Sequence, residues 1–369
     1  MSHPAASRGV ADAAAPVTIE PRGVHRVDVP ALAAWLREAL PEAAEGLALR
    51  QFQGGMSNPT YLLESASGRR YVLRKKPPGK LLARAHAVDR EYRVMRALAT
   101  TPVPAPRMLA YCDDPAVIGA EFFVMEHVDG RIIPSPGMGP VPRSERPALA
   151  FSLIDTLAAL HCVDWRGAGL EDFGRPAGYL ARQTARWASQ YEAAKKDLPA
   201  DFDYTSMDWL RDWLAERVDV ADESAIAHGD YRLGNTIVHP TEPRIVAVLD
   251  WELATIGHPL ADLAYLCLPY RLPSDMSGAV DLVAQGLPAE EQILDRYCER
   301  TGRDGIPDWP VFLAFACFRN AAISQGVAAR AAQGNVSTTS ADPASMGARA
   351  RQIANAGVAI ARSTDRRHA

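Results

Sequence analysis

The sequence predicts an α+β chain in two lobes: a small antiparallel sheet with one helix, then a larger, mainly helical lobe. Three observations carry this. Between 47 and 126, short β-type runs alternate with turns rich in Gly and Pro. From Gly130 onward, apolar residues recur at helical spacing. In that second stretch only 225–227, 236–238 and 245–249 read as strands, and they flank one polar segment.

Residues 1–17 are rich in Ala, Ser and Pro and lack an apolar h-region, so a disordered lead is expected rather than a signal peptide. The first lobe is assigned to 18–127 and the second to 128–369. A helix over 31–40 places Leu32, Trp35, Leu36 and Leu40 on one face. Runs 47–52, 60–64 and 70–75 form a three-strand meander whose first turn is Gly54-Gly55-Met56-Ser57-Asn58-Pro59. A helix over 83–98 follows, stopped before Pro102 and Pro104, and then strands over 107–111 and 121–126. Residues 134–142 are a Pro/Gly-rich connection. The helix over 147–161 carries Leu149, Leu153, Leu157 and Leu160 on one buried face. Further helices are expected near 178–195, 207–217, 288–301, 310–333 and 344–362, with loops at 199–205 and 333–343.

The 369 residues are 48% hydrophobic, which supports a substantial core. Net charge is −4 and no basic stripe points to a nucleic acid. The five cysteines form no Cys-x-x-Cys pair, as expected of buried free thiols in a reducing compartment. No run of about 18 apolar residues suggests a membrane span, and a cytoplasmic protein is expected.

The polar segment is His228-Gly229-Asp230-Tyr231-Arg232-Leu233-Gly234-Asn235, followed by Val248-Leu249-Asp250-Trp251-Glu252. It sets an Asn five residues after Asp230 and a second Asp fifteen after that. Phosphoryl transfer uses such a set: one carboxylate accepts the proton of the attacking hydroxyl, while an amide oxygen and another carboxylate hold the metal. Singly, Asp230 and Asn235 read equally well as turn residues. Asp250 is harder to dismiss. It ends the apolar run from Ile245 to Leu249, and a carboxylate carried in by a buried strand needs a partner or a metal. Mg²⁺ suits it, with few protein oxygens and the rest from phosphates and water.

This pattern resembles the aminoglycoside phosphotransferase family, relatives of the protein-kinase fold. The Asp-to-Asn interval is that of the kinase His-Arg-Asp-Leu-x-x-x-Asn signature. Gly229 stands where protein kinases carry Arg, as in that family, and Asp250-Trp251-Glu252 stands where they carry Asp-Phe-Gly. The resemblance implies Asp230 as base, Asn235 and Asp250 as Mg²⁺ ligands, and a bracing role for His228 and Asp262 behind the catalytic loop. Asp262 reads equally as a first-turn helix acid.

A kinase-like first lobe needs a phosphate-covering turn, a strand cation, a helix carboxylate to orient it, and a nucleotide hinge. Glu91 lies at helical spacing with Ala87, Val94, Met95 and Leu98, a charge on an apolar face that calls for a partner. Arg90 and Arg93 are expected to be solvated. Alignment with the kinase Val-Ala-Ile-Lys pattern selects Arg74 as the cation; Lys75 or Lys76 is the alternative if the strand bulges. Gly55, Ser57 and Asn58 sit where backbone N–H groups would approach phosphates. The segment from Phe122 to Gly130 resembles the kinase hinge, which implies adenine contacts from Glu126 and Val128. ATP, or GTP, is the implied donor.

An aminoglycoside pocket should be acidic, since its ligand is a polycation. Instead Arg182 and Arg186 share a helix face, and Arg319 lies among Phe315, Ala316, Cys317 and Phe318. Such residues suit a carboxylate or phosphate. With Trp251 and Glu252 they are the candidate acceptor contacts. Stretches 71–98 and 228–266, with the hinge, cover about a fifth of the chain and resemble kinase-like domains fused to, or acting beside, acyl-CoA dehydrogenases. That implies a hydroxylated acyl-CoA or similar acid as acceptor. Competing readings are a pseudokinase, kept open by Arg74, an antibiotic kinase, a protein kinase, disfavoured by Gly229 and Trp251-Glu252, and a metal hydrolase using His228 and His258, which lack zinc-type spacing.

Overall fold

The computed structural model describes residues 17–21, 23–53, 58–77, 87–198, 202–273, 276, 280–333 and 342–365. Its first lobe runs β1 (Thr18–Ile19), α1 (Val29–Ala39), α2 (Pro41–Ala44), β2 (Ala48–Phe52), β3 (Thr60–Glu64), β4 (Arg70–Lys75), α3 (Val88–Leu98), β5 (Met108–Cys112) and β6 (Phe122–Glu126). The strands form one antiparallel sheet in the order β1-β2-β3-β4-β6-β5. Period-two alternation on β4 splits its side chains between two cores. Val72 joins Val94, Met95 and Phe123 on the α3 side. Leu73 joins Leu32, Leu36 and Val124 under α1. Asp28 caps α1, accepting from Ala31 N at 2.9 Å.

The second lobe contains α4 (Arg146–His161), α5 (Tyr179–Lys195), α6 (Thr205–Ala215), β7 (Ala225–Ala227), β8 (Thr236–Val238), β9 (Ile245–Val248), β10 (Thr255–Gly257), α7 (Pro259–Cys267), α8 (Glu290–Thr301), α9 (Trp309–Ala332) and α10 (Pro343–Asp365). α9 is its spine, packed against α5, α6, α7 and α10. The β8–β9 and β7–β10 pairs hold the polar segment between them. Gly130 lets the interlobe connection press onto β8, where a Cβ would lie 2.4 Å from Val238 O.

Several expectations change. A sixth strand, β1, pairs with β2 through Thr18 and Phe52; two residues are too short for a periodic signal. α3 runs from Val88, with Ala87 outside it, and the expected residues 83–86 lie outside the described residues. Residues 1–16 and the turn at 54–57 lie outside them as well. By length and composition α9 could cross a membrane, contrary to the sequence expectation, but 78% of its apolar stretch is buried inside the lobe, as befits a core helix. Arg90 is not solvated: it stacks on the Phe173 ring at 4.1 Å and donates to Phe173 O at 2.6 Å. Arg93 donates to Gly169 O at 2.8 Å and pairs with Asp172.

Candidate active site

β4 delivers a cation into the space between the lobes. Arg74 Nε lies 3.2 Å from Glu91 Oε2, and Nη2 donates to Asp250 Oδ1 at 2.8 Å, with Glu252 Oε2 at 3.7 Å. The neighbouring lysines point elsewhere. Lys75 is buried on the opposite face, 6.0 Å from the Tyr61 ring, and Lys76 pairs with Glu121 at 2.6 Å. Strand alternation therefore selects Arg74 for the cleft without any bulge.

Glu91 is 1% exposed. Burial, with Asp250 and Glu252 nearby, pushes its carboxyl up to about 7 against the pull of Arg74 and Asn58. Asn58 Nδ2 donates to Glu91 Oε1 at 2.6 Å, so this residue holds the helix carboxylate. Gly55 and Ser57 fall outside the described residues.

Asp250 itself sits at φ 65, ψ 59, the left-handed region that is costly for a residue with a Cβ. The strain turns its side chain, one-third exposed, out of the apolar β9 run towards Arg74. Trp251, the next residue, goes inward. It is 1% exposed, donates to Val248 O at 2.9 Å and packs against the His228 ring at 4.8 Å, tilted by 51°. It is therefore a core residue, not an acceptor contact.

The catalytic-loop candidates are bound tightly from behind. Buried Asp262 on α7 accepts from His228 N at 2.6 Å and Gly229 N at 2.9 Å. Burial raises its carboxyl, but His161, His228 and the Gly229 N–H outweigh that and hold it below the ordinary value. His228 Nε2 meets Leu249 O at 2.9 Å, while Nδ1 accepts from Asp230 N at 3.2 Å. Both ring nitrogens are thus committed, as are those of His258, to Ala221 O and Leu260 N. This removes the hydrolase reading. Gly229 has φ 84, and a Cβ there would meet Leu253 O at 2.7 Å, which explains a glycine before Asp230.

Asn235 Nδ2 donates to Asp230 Oδ2 at 2.7 Å and to Asp230 O at 2.9 Å. The loop is fixed, and one Asp230 oxygen is oriented by the amide. Asn235 and Asp250 lie on adjacent segments, with Leu249 N donating to Asn235 O at 2.8 Å. Among the described residues no group of three His, Cys, Asp or Glu could hold a metal. An amide oxygen and one carboxylate fit Mg²⁺, which takes its remaining ligands from phosphates and water, and do not fit zinc.

The hinge candidates follow β6. Glu126 ends that strand opposite Tyr71 and anchors Arg107 N through Oε1 at 2.9 Å; Val128 follows, half-buried. The arginines divide. Arg182 donates to the carbonyls of Ala177 and Arg175, so it fixes its own helix start. Arg186 is exposed beside Trp187. Arg319 is buried, donates to Gly229 O and lies between the Trp187 and Tyr265 rings, bracing the loop rather than facing an open acceptor site.

Two contributors escaped sequence reasoning. Arg90 also donates to Ala254 O at 3.3 Å, tying α3 to the turn after Asp250. Tyr265 stands beside Asp230, and burial followed by that carboxylate raises its hydroxyl pKa. Its place one helical turn after Asp262 was the available signal.

Residues 48–299 match the family described as phosphotransferase enzyme family. The chain belongs to that family. It is therefore a phosphotransferase with a kinase-like fold. A putative aminoglycoside phosphotransferase from Ralstonia eutropha JMP134 is 40% identical, with a TM-score of 0.81 over 92% of this chain and 99% of that one. Acyl-CoA dehydrogenase family member 11 of Rattus norvegicus is 42% identical over 87% of this chain and 42% of its own length. The chain thus spans about two-fifths of that relative. Choline kinase from Cryptosporidium parvum, 13% identical with a TM-score of 0.63 over 92% of this chain and 97% of that one, shares the fold.

Proposed function

We propose that this phosphotransferase moves the γ-phosphoryl group of ATP to a hydroxyl of a small anionic metabolite, a hydroxylated acyl-CoA being the leading acceptor class. The observation that carries the reading is Arg74. Held by Glu91 in the first lobe, it reaches Asp250 in the second, beside the Asp230–Asn235 turn. ATP is taken over GTP as donor, supported by an aminoglycoside phosphotransferase of the same fold crystallised in a ternary complex with AMP-PNP and hygromycin B.

On this reading Asp230 orients the acceptor hydroxyl and takes its proton as the oxygen bonds to the γ-phosphorus. The bond from that phosphorus to the bridging oxygen breaks and ADP leaves. Asn235 holds Asp230 in position. Arg74 binds the inner phosphates, Glu91 and Asn58 fix Arg74, and the backbone at Glu126 and Val128 receives the base. Asn235 and Asp250 would hold Mg²⁺, which when bound neutralises phosphate charge. The acceptor class is supported by relatives named as acyl-CoA dehydrogenases. A functional link to such enzymes is part of the proposal. The five unpaired cysteines support a reducing, cytoplasmic setting.

The test is ATP consumption with Mg²⁺ across hydroxyacyl-CoA thioesters, other hydroxy acids and aminoglycosides. Turnover confined to the thioesters or acids supports the assignment. Turnover of aminoglycosides alone sinks it.

A further inference from the structure

Beside the catalytic loop lies a cavity of about 230 Å³ whose walls include residues of α4, α7 and α8, with Leu272, Met276 and Val280 from between the last two. Its lining is mainly apolar, with Ala150, Ile154, Leu282 and Leu287 among the wall residues and Asn320 among the polar ones. Among the described residues no Asp or Glu lines it, whereas Arg232 and Arg349 do. It adjoins the chemistry on two sides. Arg232, Leu233 and Gly234 form one wall and lie two to four residues after Asp230 in the loop. The Tyr265 side chain stands beside Asp230 and also lines the cavity.

We propose that this cavity is the subsite for an aliphatic arm of the acceptor, so that the enzyme selects hydroxylated compounds by the length of an apolar tail. The proposal rests on the acceptor reading above. A polycation would gain nothing from walls without carboxylates, and its desolvation among apolar side chains would be uncompensated. An aliphatic chain gains from each methylene buried, and Arg232, whose Nε lies 3.4 Å from Asp230 Oδ2, sets a guanidinium between the cavity and the base. Ala150 and Leu287 are the residues placed to set the length limit, because enlarging either fills the cavity without touching Asp230, Asn235 or Asp250.

The experiment uses the full chain with Mg²⁺ and AMP-PNP, and measures calorimetric binding of hydroxy fatty acids and their CoA thioesters of increasing tail length. Turnover with ATP is measured in parallel. In the wild type, affinity should rise with tail length and then stop at a limit. Ala150→Leu and Leu287→Phe should each shorten that limit and weaken the long-tailed ligands roughly 10-fold or more. Their short-tailed binding and AMP-PNP affinity should be unchanged, which also shows that the variants fold. Wild-type affinity independent of tail length, or a limit that neither variant moves, overturns the subsite. Tail-dependent binding without turnover of any hydroxylated acyl compound keeps the subsite and rejects the acceptor chemistry instead.

Discussion

Arg74 and Asp250 are 176 residues apart in sequence and meet at 2.8 Å, Nη2 to Oδ1, across the two lobes. Arg74 Nε faces buried Glu91 at the same time. A guanidinium can serve both carboxylates because its donors fan out in one plane; a lysine ammonium is a single point. Removing the cation leaves Glu91 buried without its main counter-charge. Arg74→Ala should therefore cost about 3–5 kcal/mol of stability, read from denaturant unfolding, and Arg74→Lys less. Nucleotide affinity should fall in both. An Arg74→Ala protein as stable as the wild type would show that the pair contributes nothing.

Glu91 sets a pH dependence. Its carboxyl is held at about 7 in the fold against an ordinary 4.5, chiefly by burial. The folded state thus binds this proton more tightly than the unfolded state, so protonation favours folding. That contribution is fully present below about 4.5 and is lost as pH rises through about 7. Thermal unfolding of wild type and Glu91→Gln should show the wild type losing stability relative to the variant across that window, then levelling off. A wild type that gains stability relative to the variant as pH rises through that window would reverse the sign and reject the burial argument.

Much of this arrangement was legible in the sequence. Asp230, Asn235 and Asp250 stood out by spacing, and Glu91 as a charge on an apolar helix face. Arg74 was selected by its match to the kinase Val-Ala-Ile-Lys pattern, and strand alternation alone left Lys76 on the same face. Trp251, Arg182 and Arg319 were misplaced because sequence proximity does not fix side-chain direction. The left-handed turn at Asp250 sends Trp251 into the core. Arg319 looked like a ligand-binding charge, yet its partner is a backbone carbonyl 90 residues away. Arg90 gave no signal, since the carbonyls it binds belong to the other lobe.

The strain at Asp250 makes a separable prediction. Asp250→Gly removes the left-handed penalty, about 1 kcal/mol, as well as a carboxylate. Calorimetry should find metal-dependent nucleotide binding lost. The same protein should lose less stability than Asp250→Ala, which keeps the strained backbone. Equal losses would mean that the conformation carries no cost.

Asp262 is expected to be structural. Asp262→Ala leaves the His228 and Gly229 N–H groups buried without an acceptor, at about 2–5 kcal/mol. Asp262→Asn keeps one acceptor oxygen and should lose less. Both should lower turnover through the loop, and the ranking is checked by unfolding and by ATPase rate together. A stable, fully active Asp262→Ala protein would remove the bracing role.

The most direct test is Asp230→Asn, which preserves shape and removes the base. Steady-state turnover with the acceptor found in the ATP-consumption panel should drop roughly 10²–10⁴-fold, while calorimetric affinity for Mg²⁺ and nucleotide stays at the wild-type value. Turnover near wild type in that variant would contradict the assignment of Asp230 as the group that takes the acceptor's proton.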